Sequence, residues 1–205
     1  FIHPVPLSQL KEIYPSNYYS FVTVSKNIVV KIKEWLDKRL FKKILSQLNS
    51  AKIDVLDVGG GTGWILDVLK KTENRIDFTQ IADIDEKASI VAEQNGHAYF
   101  KGTIEEFNTD KRFHLILMLN LIEHVANPLA VLQKAETLLH PGCIIVIKTP
   151  NTDSLDARIF RRTYWGGLHS PRHWVIFSEK SFRILLQSTR LNIKKLNYTQ
   201  GAPFW

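Results

Sequence analysis

Short, nearly continuous apolar blocks recur along this chain at 53–58, 77–83, 97–101, 113–119 and 143–149, each bounded by glycine, proline or polar residues. Blocks of that length and makeup predict buried strands. Between them the apolar positions fall three and four apart, as at Leu129, Leu132, Ala135 and Leu138, which predicts helices. Two helices precede the first block, and a further helix at 178–189 leads into a sixth predicted strand at 192–199. Alternation of strand and helix predicts an α/β fold, a doubly wound and mostly parallel sheet with helices on both faces. One domain spanning 1–205 is expected, with 1–50 as a helical lead-in and 153–177 as an irregular insert.

The first block ends in an acidic residue and runs into glycines: Val55-Leu56-Asp57-Val58-Gly59-Gly60-Gly61-Thr62-Gly63-Trp64. A strand, a turn stripped of side chains and a helix start let a ligand lie directly on the main chain. Two nucleotide motifs fail on spacing. The dinucleotide fingerprint needs glycine where Trp64 stands, and no Gly-Lys-Ser/Thr follows for a P-loop. The second block ends in Asp83-Ile84-Asp85-Glu86, roughly twenty residues on, where a carboxylate meets ribose hydroxyls in nucleotide-binding α/β folds. Asp85 reads as the cap of the next helix.

Composition narrows the class. A 44% hydrophobic and 23% charged chain of 205 residues is ordinary for a globular domain. No apolar run approaches a membrane span and no signal peptide is read at the start, so a cytoplasmic setting is expected. The single cysteine suits a reducing compartment, and no Cys/His cluster has zinc spacing, so no metal is expected. The net charge of +7 is concentrated in a basic amphipathic stretch from Lys26 to Lys43. Such a stretch reads as a helix packed on the sheet with a solvated basic face, or as a peripheral contact with anionic membrane or nucleic acid.

The spacing Asp57-x-Gly59-x-Gly61-x-Gly63 resembles motif I of the class I S-adenosylmethionine-dependent methyltransferases. The run from Phe113 through Leu121-Ile122-Glu123-His124-Val125, Pro128, the Leu139-His140-Pro141-Gly142-Cys143 turn and Thr149-Pro150-Asn151 resembles the same family, with His114 and Cys143 as departures. The resemblance is specific from about Asp54 to Asn151 and continues loosely through Trp165-Gly166-Gly167 and Ser170-Pro171-Arg172-His173. It implies S-adenosylmethionine as cofactor, held by Asp57, Gly59, Gly61 and Gly63, with Asp83 on the ribose and Ile84 against the adenine. Gly102, Thr103 and Ile104 are implied at the adenine edge, and Asn120 and Leu121 at the methionine moiety, largely through the main chain. The family adds a seventh, antiparallel strand, which this chain is expected to lack.

The acceptor side is less legible. His124 follows the fourth strand and is a candidate base, as are His169 and His173 in the insert. Tyr164, Trp165 and Arg172 are candidates for an acceptor wall, with anchoring of the insert as the alternative for Trp165. The expected reaction is methyl transfer to a hydroxyl of a small molecule or glycan. An RNA methyltransferase and a non-catalytic cofactor- or partner-binding domain stand as alternatives. Against the first, Asn120-Leu121-Ile122-Glu123 is not a base-amine motif.

Overall fold

The computed structural model describes residues 28–160, 165–169 and 171–198. Five parallel strands, β1 (Ile53–Val58), β2 (Ile76–Asp83), β3 (Ala98–Lys101), β4 (Phe113–Leu119) and β5 (Leu139–Lys148), form one sheet in the order β3-β2-β1-β4-β5. β1 lies in the middle because its residues are apolar on both faces. Leu56 and Val58 join one core layer, and Ile53 and Val55 join the other. β4 divides in the same way, with Ile116 and Met118 facing one layer and Leu115 and Leu117 the other.

Helices α1 (Ile28–Leu45), α2 (Trp64–Thr72) and α3 (Glu86–Gln94) cover one face, contributing Phe41, Leu45, Leu66, Leu69 and Ala92. Helix α4 (Pro128–Leu138) covers the other with Val131, Leu132, Ala135 and Leu138. The short α5 (Leu155–Phe160) and α6 (Glu179–Leu186) follow β5. The order in which strands are added reverses between β1 and β4: β2 and β3 lie to one side, β5 to the other. The carboxyl ends of β1 and β4 therefore flank the crevice where open α/β sheets bind ligands.

Two expectations change. The turn 139–143 lies inside β5: register jumps from Phe113↔Leu139 to Leu115↔Ile144, and Gly142 takes φ +75° at the bulge. The sixth strand at 192–199 is not formed across the described residues 191–198. Leu191 packs on the core, but Leu196 and Tyr198 are 40% and 68% exposed. A strand needs a ladder partner, and β propensity alone does not supply one. The first of the two lead-in helices falls outside the described residues; the second is α1.

Candidate active site

The glycine turn is shaped from below by its neighbours. Gly59 (φ +72°) lies against Leu121, whose Cδ1 would stand 2.9 Å from any added Cβ. Gly63 (φ +80°) is the N-cap of α2 and lies on the His97 ring, 2.6 Å from where a Cβ would be. Only glycine meets both demands, a left-handed backbone and no side chain. The Gly61 amide donates to Asp83 Oδ2 at 2.8 Å, and the Asp85 amide donates to Oδ1 at 2.9 Å. The carboxylate at the end of β2 is thus tied to the turn at the end of β1.

Asp57 is buried beneath Gly60, and its carboxyl pKa is pushed up to about 8, by burial first and by Asp83 second. Burial also raises Asp83, against the amides of Asp85, Gly61 and Ile84 that favour its charged form. Ile84 stands beside this cradle with 62% of its surface exposed. Gly102 donates its amide to the Asp83 carbonyl, and Thr103 is held by Glu106 through both its amide and its hydroxyl. The side chain of Ile104 is committed to the core, which leaves only its main chain for any ligand. Asn120 takes φ +56° just past β4, where Asn is the side chain best tolerated, and donates its amide to the Lys148 carbonyl.

On the far side of Leu121 the chain makes a 3-10 turn (Ile122–His124), and the insert folds back onto it. The Glu123 carbonyl accepts from the Trp174 and Val175 amides at 2.8 and 3.2 Å. His124 Nδ1 donates to the Arg172 carbonyl at 3.0 Å, and His173 Nδ1 to the Gly167 carbonyl at 2.7 Å. The rings of His124 and His173 meet near-perpendicular with centroids 4.7 Å apart; His169 lies 5.1 Å from His173. The three expected histidines, remote in sequence, share one place. Burial holds all three below the ordinary imidazole range, His124 down to about 4 with help from His173.

The remaining insert candidates divide. Trp165 is buried, its indole N–H donates to Asp156 Oδ2 at 3.1 Å and its ring covers Gly167, so it anchors the insert. The Arg172 guanidinium reaches His169 Nε2 at 3.3 Å, at the edge of the histidine group. Tyr164 lies outside the described residues.

A glycine turn bonded to the acid of the second strand, at a topological switch point, is the arrangement at which open α/β sheets bind nucleotides. The methyltransferase domain model matches residues 32–196. This chain belongs to the methyltransferase domain family. The ubiquinone biosynthesis O-methyltransferase of Rickettsia prowazekii (strain Madrid E) is 34% identical over 116 residues, 55% of this chain and 46% of that protein. The protein of the same name from Bradyrhizobium sp. (strain ORS 278) is 29% identical over 122 residues, again 55% of this chain and 46% of that one. The chain spans about half the length of the curated relatives it matches. Among solved structures, the plantazolicin methyltransferase BpumL in complex with a monoazolic desmethylPZN analog and SAH matches with a TM-score of 0.65 at 18% identity, covering 88% of this chain and 72% of that chain. The YcgJ protein of Bacillus subtilis matches with a TM-score of 0.56 at 17% identity, over 75% and 67%. At these identities the likeness is one of fold.

Two features of this methyltransferase domain were not singled out by sequence reasoning. Glu123 is 1% exposed, neither carboxylate oxygen makes a well-formed hydrogen bond, and burial pushes its pKa up to about 7. The buried Thr149 hydroxyl lies close enough to favour the charged form of Glu123, without a well-formed hydrogen bond to it. The available signal was an acidic residue inside the apolar run Leu121–Val125. The second feature is a line from the buried Thr79 and His97 to the half-buried Asp67, with contacts of 2.8 and 3.2 Å, which supports the turn through Gly63.

Proposed function

We propose that this methyltransferase domain transfers the methyl group of S-adenosylmethionine to a hydroxyl oxygen of a small molecule or glycan. The observation that carries the reading is the pairing of two half-sites across Leu121. One is the glycine turn bonded to Asp83; the other is a group of histidines held uncharged by burial. The names of the curated relatives, O-methyltransferases, favour oxygen as the attacked atom.

The sulfonium makes the methyl carbon electrophilic. What remains for the protein is alignment, exclusion of water and acceptance of one proton. Asp83 accepts from ribose hydroxyls, Ile84 covers the adenine, and Gly102, Thr103, Ile104, Asn120 and Leu121 contribute main-chain contacts. The acceptor oxygen attacks in line, the carbon–sulfur bond breaks, and the hydroxyl proton passes to an uncharged imidazole, His124 first among the three. The products are a methyl ether and S-adenosylhomocysteine. The 153–177 insert forms the acceptor side, with Arg172 at its rim. The single cysteine accords with a reducing cytoplasm. No helix among the described residues is long and apolar enough to cross a membrane.

The test is transfer of a labelled methyl group to a panel of phenols, sugars and amines, with wild type and Asp83→Ala. Incorporation into hydroxyl acceptors, falling at least about tenfold in the variant at limiting cofactor, is the expected result. Incorporation into amines alone overturns the choice of atom, and undiminished turnover in the variant overturns the role of Asp83.

A further inference from the structure

We infer that Glu123, His124 and His173 form a binding site for one divalent transition-metal ion of zinc-like chemistry, at the carboxyl edge of β4. One side-chain donor atom from each of the three lies within 4.8 Å of the others. Donors on one tetrahedral zinc at about 2.0–2.2 Å stand roughly 3.3–3.6 Å from one another, so the three side chains close by up to about 1.5 Å on binding the ion.

Three observations point to a cation rather than to a structural cluster. The Glu123 carboxylate is buried and neither oxygen makes a well-formed hydrogen bond, a costly state for a group that a metal satisfies directly. The Thr149 hydroxyl and Lys148 lie close enough to favour its charged form, but neither makes a well-formed hydrogen bond to it. The second observation is ring orientation. A carbonyl only accepts, so the contacts to Arg172 and Gly167 fix the proton on Nδ1 of both His124 and His173. Nε2 then carries the lone pair in each ring, the arrangement that backbone partners impose on metal-binding histidines. The third is the donor set. Two imidazoles and one carboxylate suit zinc and its neighbours rather than magnesium or calcium, and three protein ligands leave a position open.

Glu123 and His124 come from the 3-10 turn and His173 from the insert, so no metal spacing is visible in sequence. The main-chain bonds from Trp174 and Val175 to the Glu123 carbonyl bring the third ligand in. The site abuts Leu121, which walls the glycine turn. The inference rests on the proposed function only for its consequence: an ion there holds the acceptor oxygen and favours its ionised form beside the methyl donor. With their Nε2 lone pairs on the ion, His124 and His173 then position the acceptor while its proton leaves to solvent. Binding itself is tested without turnover.

The experiment is zinc content by mass spectrometry after purification without chelator, together with zinc titration against a competing chromophoric chelator. It is run on wild type, Glu123→Gln, His173→Ala and His140→Ala. His114 and His140, with ring centroids 4.5 Å apart at the opposite end of β4, are the other place zinc could settle. Expected are about one zinc per chain in wild type and His140→Ala, and a loss of affinity of about 100-fold or more in Glu123→Gln and His173→Ala. SAH titration of the same variants separates the outcomes: retained SAH binding shows an intact fold and leaves the methyltransferase reading standing whatever zinc does. No stoichiometric zinc in wild type, or loss in His140→Ala with retention in His173→Ala, overturns the site.

Discussion

Gly63 and His97 show how far a single position can carry structure. Gly63 takes a left-handed backbone and touches the His97 ring, so Gly63→Ala adds strain and overlap at once. A loss of about 1–3 kcal/mol in chemical denaturation is expected, with weaker SAH binding because the turn is displaced. His97 itself is held below its ordinary pKa by burial and by Lys70, against the pull of Asp67. A lowered folded pKa means the unfolded chain binds the proton more tightly. This contribution is therefore complete above the ordinary imidazole range and is lost as pH falls through it. Denaturation midpoints between pH 7.5 and about pH 5 should drop in wild type and drop less steeply in His97→Asn, the remaining slope coming from the other buried histidines. An unchanged slope in the variant contradicts the assignment. Asp57, the glycines and Asp83 were legible because their chemistry depends on residues near in sequence. Glu123 was not, because its meaning depends on His173 and on the lack of a well-formed hydrogen bond in a buried place.

At the scale of elements, local signals and observed boundaries agree where the chain carries its own caps. Asp85 caps α3 by accepting from the Lys87 and Ala88 amides, as its position predicted. Asn127 accepts from the Ala130 amide with Pro128 at the first position of α4, and Ser178 and Ser181 form a reciprocal box at α6. Asn127→Ala should cost about 1 kcal/mol, read as a lower midpoint at unchanged m-value. The β6 expectation failed for the complementary reason. Residues 192–198 have strand-like composition, but a strand is completed by a neighbour that composition does not supply. The bulge in β5 was legible as a turn from Pro141 and Gly142, yet its place inside a continuous strand was set by pairing with β4.

For the whole molecule, strand order decides what the local motifs mean. Strands β1 and β4 lie side by side and parallel, so the glycine turn after β1 and the 3-10 turn after β4 stand at the same carboxyl edge of the sheet although they come from distant segments. That arrangement predicts linkage between ligand and stability. SAH at a hundredfold excess over its dissociation constant should stabilise the fold by about 2.7 kcal/mol and raise Tm by roughly 5–10 °C. The central claim is the identity of the nucleoside held at the turn, and calorimetric titration with SAH, with NADH as control, tests it most directly. The account predicts saturable one-site binding of SAH and no heat from NADH. Binding of NADH, or of neither ligand, contradicts it.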